Sequence, residues 1–166
     1  KASAFLPSYG LAEATLAVSI MPPGEGIQVE LVEETQLSGG SQGAGRPQRF
    51  RAIVNCGKAV KDMQIEIREE DGTPLPEKAI GKVWCKGPSV MVGYFRDEEA
   101  TAACMKDGWL DTGDMGYISE GYIYIVGRAK DMIIVNGRNH WPQDIEWAVE
   151  QLPGFKQGDI AAFAIT

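Results

Sequence analysis

From Tyr117 to Val126 the chain reads Tyr-Ile-Ser-Glu-Gly-Tyr-Ile-Tyr-Ile-Val, two β-favouring runs held apart by the pair Glu120-Gly121. Aromatic and β-branched residues suit a pleated, half-buried surface, and a two-residue turn ending in glycine joins strands that run antiparallel. Neighbouring segments repeat the theme. Met63, Ile65 and Ile67 alternate with Gln64, Glu66 and Arg68, the period-2 pattern of a strand with one face in a core. Asp71-Gly72 is a hairpin turn signal. Val83-Trp84-Cys85 opens another short strand that stops at Gly87-Pro88. Helices are fewer. One is expected from Asp97-Glu98-Glu99 through Met105, with its acidic residues in the favoured first turn. Another is expected from Pro142 to Pro153-Gly154, with Ile145, Ala148, Val149 and Leu152 as its apolar stripe. The apolar run Ile160 to Thr166 reads as a further strand without a following partner, as if cut from a longer protein. The expected fold class is α+β and β-rich.

Composition narrows the function. The chain has 166 residues, 44% hydrophobic and 23% charged, the balance of a globular protein. A net charge of −7 argues against nucleic-acid partners, which need a basic face. No apolar run reaches the ~20 residues that a membrane-spanning helix needs. Cys56, Cys85 and Cys104 are odd in number and widely spaced, and His140 is the sole histidine. No zinc site is readable, and reduced thiols point to the cytoplasm. From about Glu25 to Gln48 the sequence turns polar around Gly39-Gly40-Ser41-Gln42-Gly43, which reads as a loop or an insertion.

Three short motifs carry candidate chemistry, and each alone has a bland alternative. In Gly108-Trp109-Leu110-Asp111-Thr112-Gly113-Asp114 a flexible glycine precedes a carboxylate that could hold a vicinal diol such as a ribose, or could be a solvated turn residue. Gly127-Arg128-Ala129-Lys130-Asp131 sits behind a strand and could be no more than a salt-bridged hairpin exit. Pro7-Ser8-Tyr9-Gly10-Leu11-Ala12-Glu13 places an aromatic face and a carboxylate near each other. Such a pair could stack on a base and hold Mg²⁺ beside phosphates, or could be a core tyrosine and a helix-starting glutamate.

Their order is informative. Tyr-Gly-x-x-Glu, then Gly-Trp-x-x-Thr-Gly-Asp, then Gly-Arg-x-Lys-Asp resembles the running order of the ANL adenylate-forming superfamily. Gly81-Lys82-Val83-Trp84 to Gly87, followed by Gly93-Tyr94, resembles another of its segments, and Asn136-Gly137-Arg138-Asn139 to Ile145-Glu146 resembles the opening of its small C-terminal domain. Within the superfamily the chain most resembles the fatty acyl-AMP ligases, through Tyr9-Gly10-Leu11-Ala12-Glu13-Ala14-Thr15 and Gly137 to Glu146. Lys82, where an acidic residue is usual, and Ala12, where threonine is frequent, depart from the wider pattern.

The resemblance implies a fragment of an ANL fold. Residues 1–126 would be the end of the large α/β domain, with a β-barrel-like subdomain at about 50–126 and an insertion at 25–48. Residues 127–131 would be a hinge, and 132–166 the start of the small domain. Tyr9 would stack on adenine, with Ser8 and Gly10 lining the nucleotide pocket. Glu13 would act beside the α-phosphate as catalytic residue and Mg²⁺ ligand. Asp114 would hold the ribose, Arg128 would join it or the phosphate, and Asp131 would be the pivot. The implied reaction is activation of a fatty acid by ATP to acyl-AMP, with transfer to a carrier protein or to CoA. A non-catalytic AMP-binding module is the alternative of another class. The family's upstream phosphate loop and downstream lysine have no counterpart here, so the chain by itself is expected to catalyse little.

Overall fold

The pairing expected around Glu120-Gly121 is present in the computed structural model, which describes residues 1–38, 50–136 and 138–165. Glu120 and Gly121 have φ of 53° and 76°, both positive as a type I′ turn requires. The Glu77 carboxylate accepts from both turn amides, Glu120 N and Gly121 N, each at 3.2 Å. Replacing Glu77 by alanine leaves those amides to water. Their hydrogen exchange should quicken by about tenfold while the rest of the hairpin changes little.

Among the described residues, twelve strands and three α-helices follow in order. They are β1 Ser8–Gly10, β2 Ala17–Ile20, β3 Val29–Glu33, α1 Glu34–Ser38, β4 Phe50–Val54, β5 Lys58–Ala59, β6 Gln64–Arg68 and β7 Gly81–Lys86. Then come α2 Glu98–Cys104, β8 Met105–Lys106, β9 Trp109–Ser119, β10 Tyr122–Arg128, β11 Ile133–Val135, β12 Arg138–His140 and α3 Pro142–Glu150. The strands form sheets in the orders β1-β2-β5 and β10-β9-β7-β6, with β8 on β9, and the pairs β11-β12 and β3-β4. The α+β, strand-rich class read from the sequence holds.

The chain divides into two compact units. One comprises Lys1–Glu30 with Ala52–Val126, the other Leu31–Arg51 with Gly127–Thr166. In the first, Val83 and Cys85 of β7, Ile67 of β6 and Leu110 of β9 are buried with Val18 and Ile123. They follow the alternation predicted at Met63-Ile65-Ile67. Their partners Arg68, Trp84 and Trp109 turn the other way, where the Arg68 guanidinium lies 4.9 Å from the Trp84 ring and 4.5 Å from the Trp109 ring. The Asp71-Gly72 turn forms, with Gly72 N bonding Glu69 O. Beyond it the chain makes only a bridge, Arg68 to Pro74, and the full partner of β6 is β7.

The second unit is organised around Trp141, which is 2% exposed and donates from Nε1 to the Leu37 carbonyl at 3.2 Å. A Cβ on Gly127 would come within 2.6 Å of the Trp141 ring. Pro142 opens α3 as expected. Arg51 pairs with Asp144 at 3.5 Å and lies 5.7 Å from the Trp147 ring.

Three sequence readings need correction. Residues 29–38 are not loop: Val29–Glu33 is a strand and Glu34–Ser38 a helix. Pairing with β4 supplies backbone partners that a polar composition does not advertise. The remainder of that stretch, residues 39–48 with its glycine-rich centre, lies outside the described residues, as do Gly137 and Thr166. The α3 stripe is only half realised, since Ile145 and Val149 are half-buried while Ala148 and Leu152 are exposed. Finally, residues 160–165 form no strand. No strand lies beside them among the described residues, and an unpaired run gains nothing from extended geometry.

Candidate functional site

The Thr-Gly-Asp motif is a bulge. Two steps on β7, Lys82 to Trp84, face four on β9, Met115 to Asp111. Gly113 takes φ 74°, which glycine alone adopts freely. A bulge leaves ladder groups unpaired, and the side chains here take over. Thr112 Oγ1 donates to the Val83 carbonyl at 2.8 Å and accepts from Asp114 N at 3.2 Å, and Asp111 Oδ1 accepts from Gly113 N at 2.9 Å. Each residue type in Asp-Thr-Gly-Asp therefore has a task, and the result is a fixed direction for Asp114.

Asp114 is only 7% exposed, a costly place for a carboxylate unless a strong donor meets it. Tyr9 supplies one: its hydroxyl donates to Asp114 Oδ2 at 2.6 Å, across 105 residues of sequence. Burial, and then the Asp114 carboxylate beside it, hold the Tyr9 phenol well above the ordinary tyrosine range, so it stays a protonated donor. Tyr9 packs on two apolar clusters, one that includes Cys85 and Leu110 and another that includes Val83 and Ile123. Burial pushes the Cys85 thiol up to about 11, an inert neutral group.

Tyr9 reaches this place because β1 pairs with β2, Tyr9 opposite Ser19, with the register shifting between Tyr9 and Gly10. At Gly10 an added Cβ would collide with the Leu16 carbonyl oxygen. Ser8, on the same strand, is exposed.

Glu13 lies on a 3-10 turn, Ala12–Ala14, directly after β1. It is half-buried, and its Oε1 accepts from the Tyr94 hydroxyl at 2.8 Å. The two segments are also joined by Met91 N to Glu13 O, 2.7 Å, and Thr15 Oγ1 to Ser89 O, 3.0 Å. Among the described residues no group of three or more His, Cys, Asp or Glu side chains is placed to hold a metal ion.

Of the residues singled out in the sequence, Ser8, Tyr9, Gly10, Glu13 and Asp114 belong to the first unit, and the fold ties Tyr9 to Asp114 directly. Arg128 and Asp131 belong to the second. Arg128 ends β10 and Asp131 closes a 3-10 turn, Ala129–Asp131, both exposed. The sequence reading gave no role to Thr112 or Tyr94. Thr112 could have been found, since a hydroxyl beside a positive-φ glycine is a means of satisfying a bulge. Tyr94 carried no local signal beyond following Gly93.

Known proteins resemble this chain in sequence and fold. The AMP-binding enzyme family matches residues 2–95. A Caulobacter vibrioides protein named as a candidate acyl-CoA synthetase is 47% identical over 167 residues, 98% of this chain and 29% of that protein. The long-chain-fatty-acid–AMP ligase FadD32 of Mycolicibacterium smegmatis is 32% identical over 185 residues, again 98% of this chain and 29% of the relative. A structure from a study of fatty acyl-adenylate ligases of E. coli and L. pneumophila superposes with a TM-score of 0.88 at 43% identity, over 100% of this chain and 31% of that one. The chain thus spans about a third of the length of the proteins it matches. The McyG A-PCP structure, complexed with phenylalanyl-adenylate, gives a TM-score of 0.75 at 30% identity over 99% of this chain and 26% of that one. With residues 2–95, more than half of the chain, matched by that family, the chain belongs to the AMP-binding enzyme family.

Proposed function

We propose that a full-length protein carrying this segment activates a fatty acid with ATP, forming acyl-AMP and pyrophosphate in the cytoplasm. The observation that carries the reading is the Tyr9–Asp114 hydrogen bond. It brings the aromatic and carboxylate motifs, which the sequence keeps 105 residues apart, to one place. Asp114 would accept from the ribose hydroxyls in charge-assisted bonds, and Tyr9 would present ring area to adenine. Ser8 and Gly10 would border the nucleotide, and Arg128 would add positive charge at the ribose or phosphate. Glu13 offers a hard oxygen ligand. Mg²⁺ is commonly held by one or two carboxylates plus substrate phosphates, so a lone oriented carboxylate fits it. When bound, that ion neutralises phosphate charge. Attack of the fatty-acid carboxylate on the α-phosphorus gathers charge on phosphoryl oxygens, so what the protein contributes is positioning and electrostatics.

The acceptor of the acyl group is proposed to be a carrier-protein thiol, consistent with the fatty-acid–AMP ligase among the relatives. The relative named as a candidate acyl-CoA synthetase favours CoA as the second reading. Residues 127–131, with Asp131 as pivot, would be the hinge between the half-reactions, and 25–48 the segment that disfavours CoA. Fatty-acid-dependent exchange of pyrophosphate into ATP by the full-length protein tests the adenylation. Its absence, with binding of AMP retained, would leave an AMP-binding module. Because Val29–Glu33 pairs within a sheet, the deletion that tests the insertion is confined to residues 39–48. Acyl-CoA should then accumulate where acyl-AMP was the end product, and a folded deletion variant that still stops at acyl-AMP removes that role.

A further inference from the structure

We propose that Tyr94 is a positioning residue for Glu13, fixing the carboxylate that meets the nucleotide's divalent cation. The inference rests on the adenylating reading of Glu13 above. A glutamate has three rotatable side-chain bonds, and one placed on a surface turn spends its time in several rotamers. Here one oxygen is held: Tyr94 Oη donates to Oε1 at 2.8 Å. The hydroxyl is itself built into place. Gly93 packs so tightly that a Cβ there would come within 2.8 Å of the Thr101 side chain. Tyr94 N donates to Thr101 Oγ1 at 2.9 Å, and that hydroxyl donates to Asp97 O at 2.7 Å. Asp97 caps α2 through Ala100 N at 2.9 Å. The loop is further anchored beside Glu13 by the Met91 and Thr15 bonds already described.

A chain of short bonds therefore runs from the start of a helix to a single carboxylate oxygen. A residue needed only to fill space would not require it: Tyr94 is 41% exposed, between the more exposed Val92 and Phe95. The phenol also does electrostatic work. Donating to Oε1 disperses carboxylate charge without cancelling it, and leaves the group's direction set before the cation arrives, which is preorganisation.

Tyr94→Phe keeps the ring and removes only the hydroxyl. In the full-length protein, calorimetry with a non-hydrolysable ATP analogue and Mg²⁺ should show about three- to tenfold weaker binding, the loss of roughly one hydrogen bond to a charged group. AMP affinity measured without metal should stay within twofold, and the thermal midpoint should not move. The Glu13→Gln variant should show a comparable loss, and adding Tyr94→Phe to it should cost nothing further. An equal loss for AMP and for the Mg²⁺ complex would make Tyr94 general scaffolding and overturn the proposal, as would no loss for either. If Glu13→Gln binds the Mg²⁺ complex as well as the wild type, the reading of Glu13 fails. If Glu13→Gln is weakened and Tyr94→Phe is not, only the positioning role fails.

Discussion

Asp114→Ala should lower ATP–pyrophosphate exchange by about ten- to a hundredfold in a full-length protein carrying this segment. The magnitude follows from losing one or two hydrogen bonds between ribose hydroxyls and a charged acceptor, about 1.5–3 kcal/mol each before compensation. The alanine variant also strands the Tyr9 hydroxyl, which now donates to Asp114 at 2.6 Å in a half-buried place. A donor left without its partner has its own desolvation cost, so part of the loss would come through Tyr9. Tyr9→Phe separates the two contributions. It keeps the ring against the apolar clusters and leaves the carboxylate for the ribose, and it should cost less than Asp114→Ala. The pattern to look for is a large loss at Asp114, a smaller one at Tyr9, and a double variant no worse than the Asp114 change by itself. Unchanged exchange in Asp114→Ala would remove Asp114 from the nucleotide site.

How far this site could be read in the sequence depends on which residues are considered. The hairpin at Glu120-Gly121 and the alternation at Met63-Ile65-Ile67 were legible because they are local: turn φ and strand parity are written in adjacent residues. Glu98–Cys104 was legible through its acidic first turn. The strand Val29–Glu33 was not, because it depends on pairing with Phe50–Val54, and composition carries no trace of a partner about twenty residues away. The run at 160–165 failed in the opposite sense, having strand composition without a strand beside it among the described residues. At the site, the order of motifs pointed to Tyr9, Glu13 and Asp114. It could not show that Tyr9 and Asp114 touch, which depends on where the β1–β2 pairing carries Tyr9, nor that Thr112 replaces ladder bonds at Val83, a fact of register on β7 and β9. Tyr94 was the hardest to see. Its proposed role comes from a loop tied to the Glu13 turn by Met91 N–Glu13 O and Thr15 Oγ1–Ser89 O, long-range bonds that leave no periodic mark.

Gly10→Ala should unfold or loosen the first unit before it affects nucleotide affinity as such. Family resemblance makes Gly10 a small residue bordering the nucleotide, whereas its packing points to a backbone reason: a Cβ there would run into the Leu16 carbonyl oxygen and carbon. Backbone cannot swing aside as a flexible side chain does. The clash must be relieved by moving β1 away from β2, at a register shift already present between Tyr9 and Gly10. Overpacking of this kind costs about 1–3 kcal/mol, and the displaced strand carries Tyr9 on one side and leads to Glu13 on the other. The expected result is a thermal midpoint lowered by several degrees, with exchange activity falling further than the stability loss explains. Ser8→Ala, an exposed change on the same strand, should leave the thermal midpoint near wild type. A Gly10→Ala protein with an unchanged thermal midpoint but weaker ATP binding would favour the pocket-lining role, and the steric account of Gly10 would be wrong.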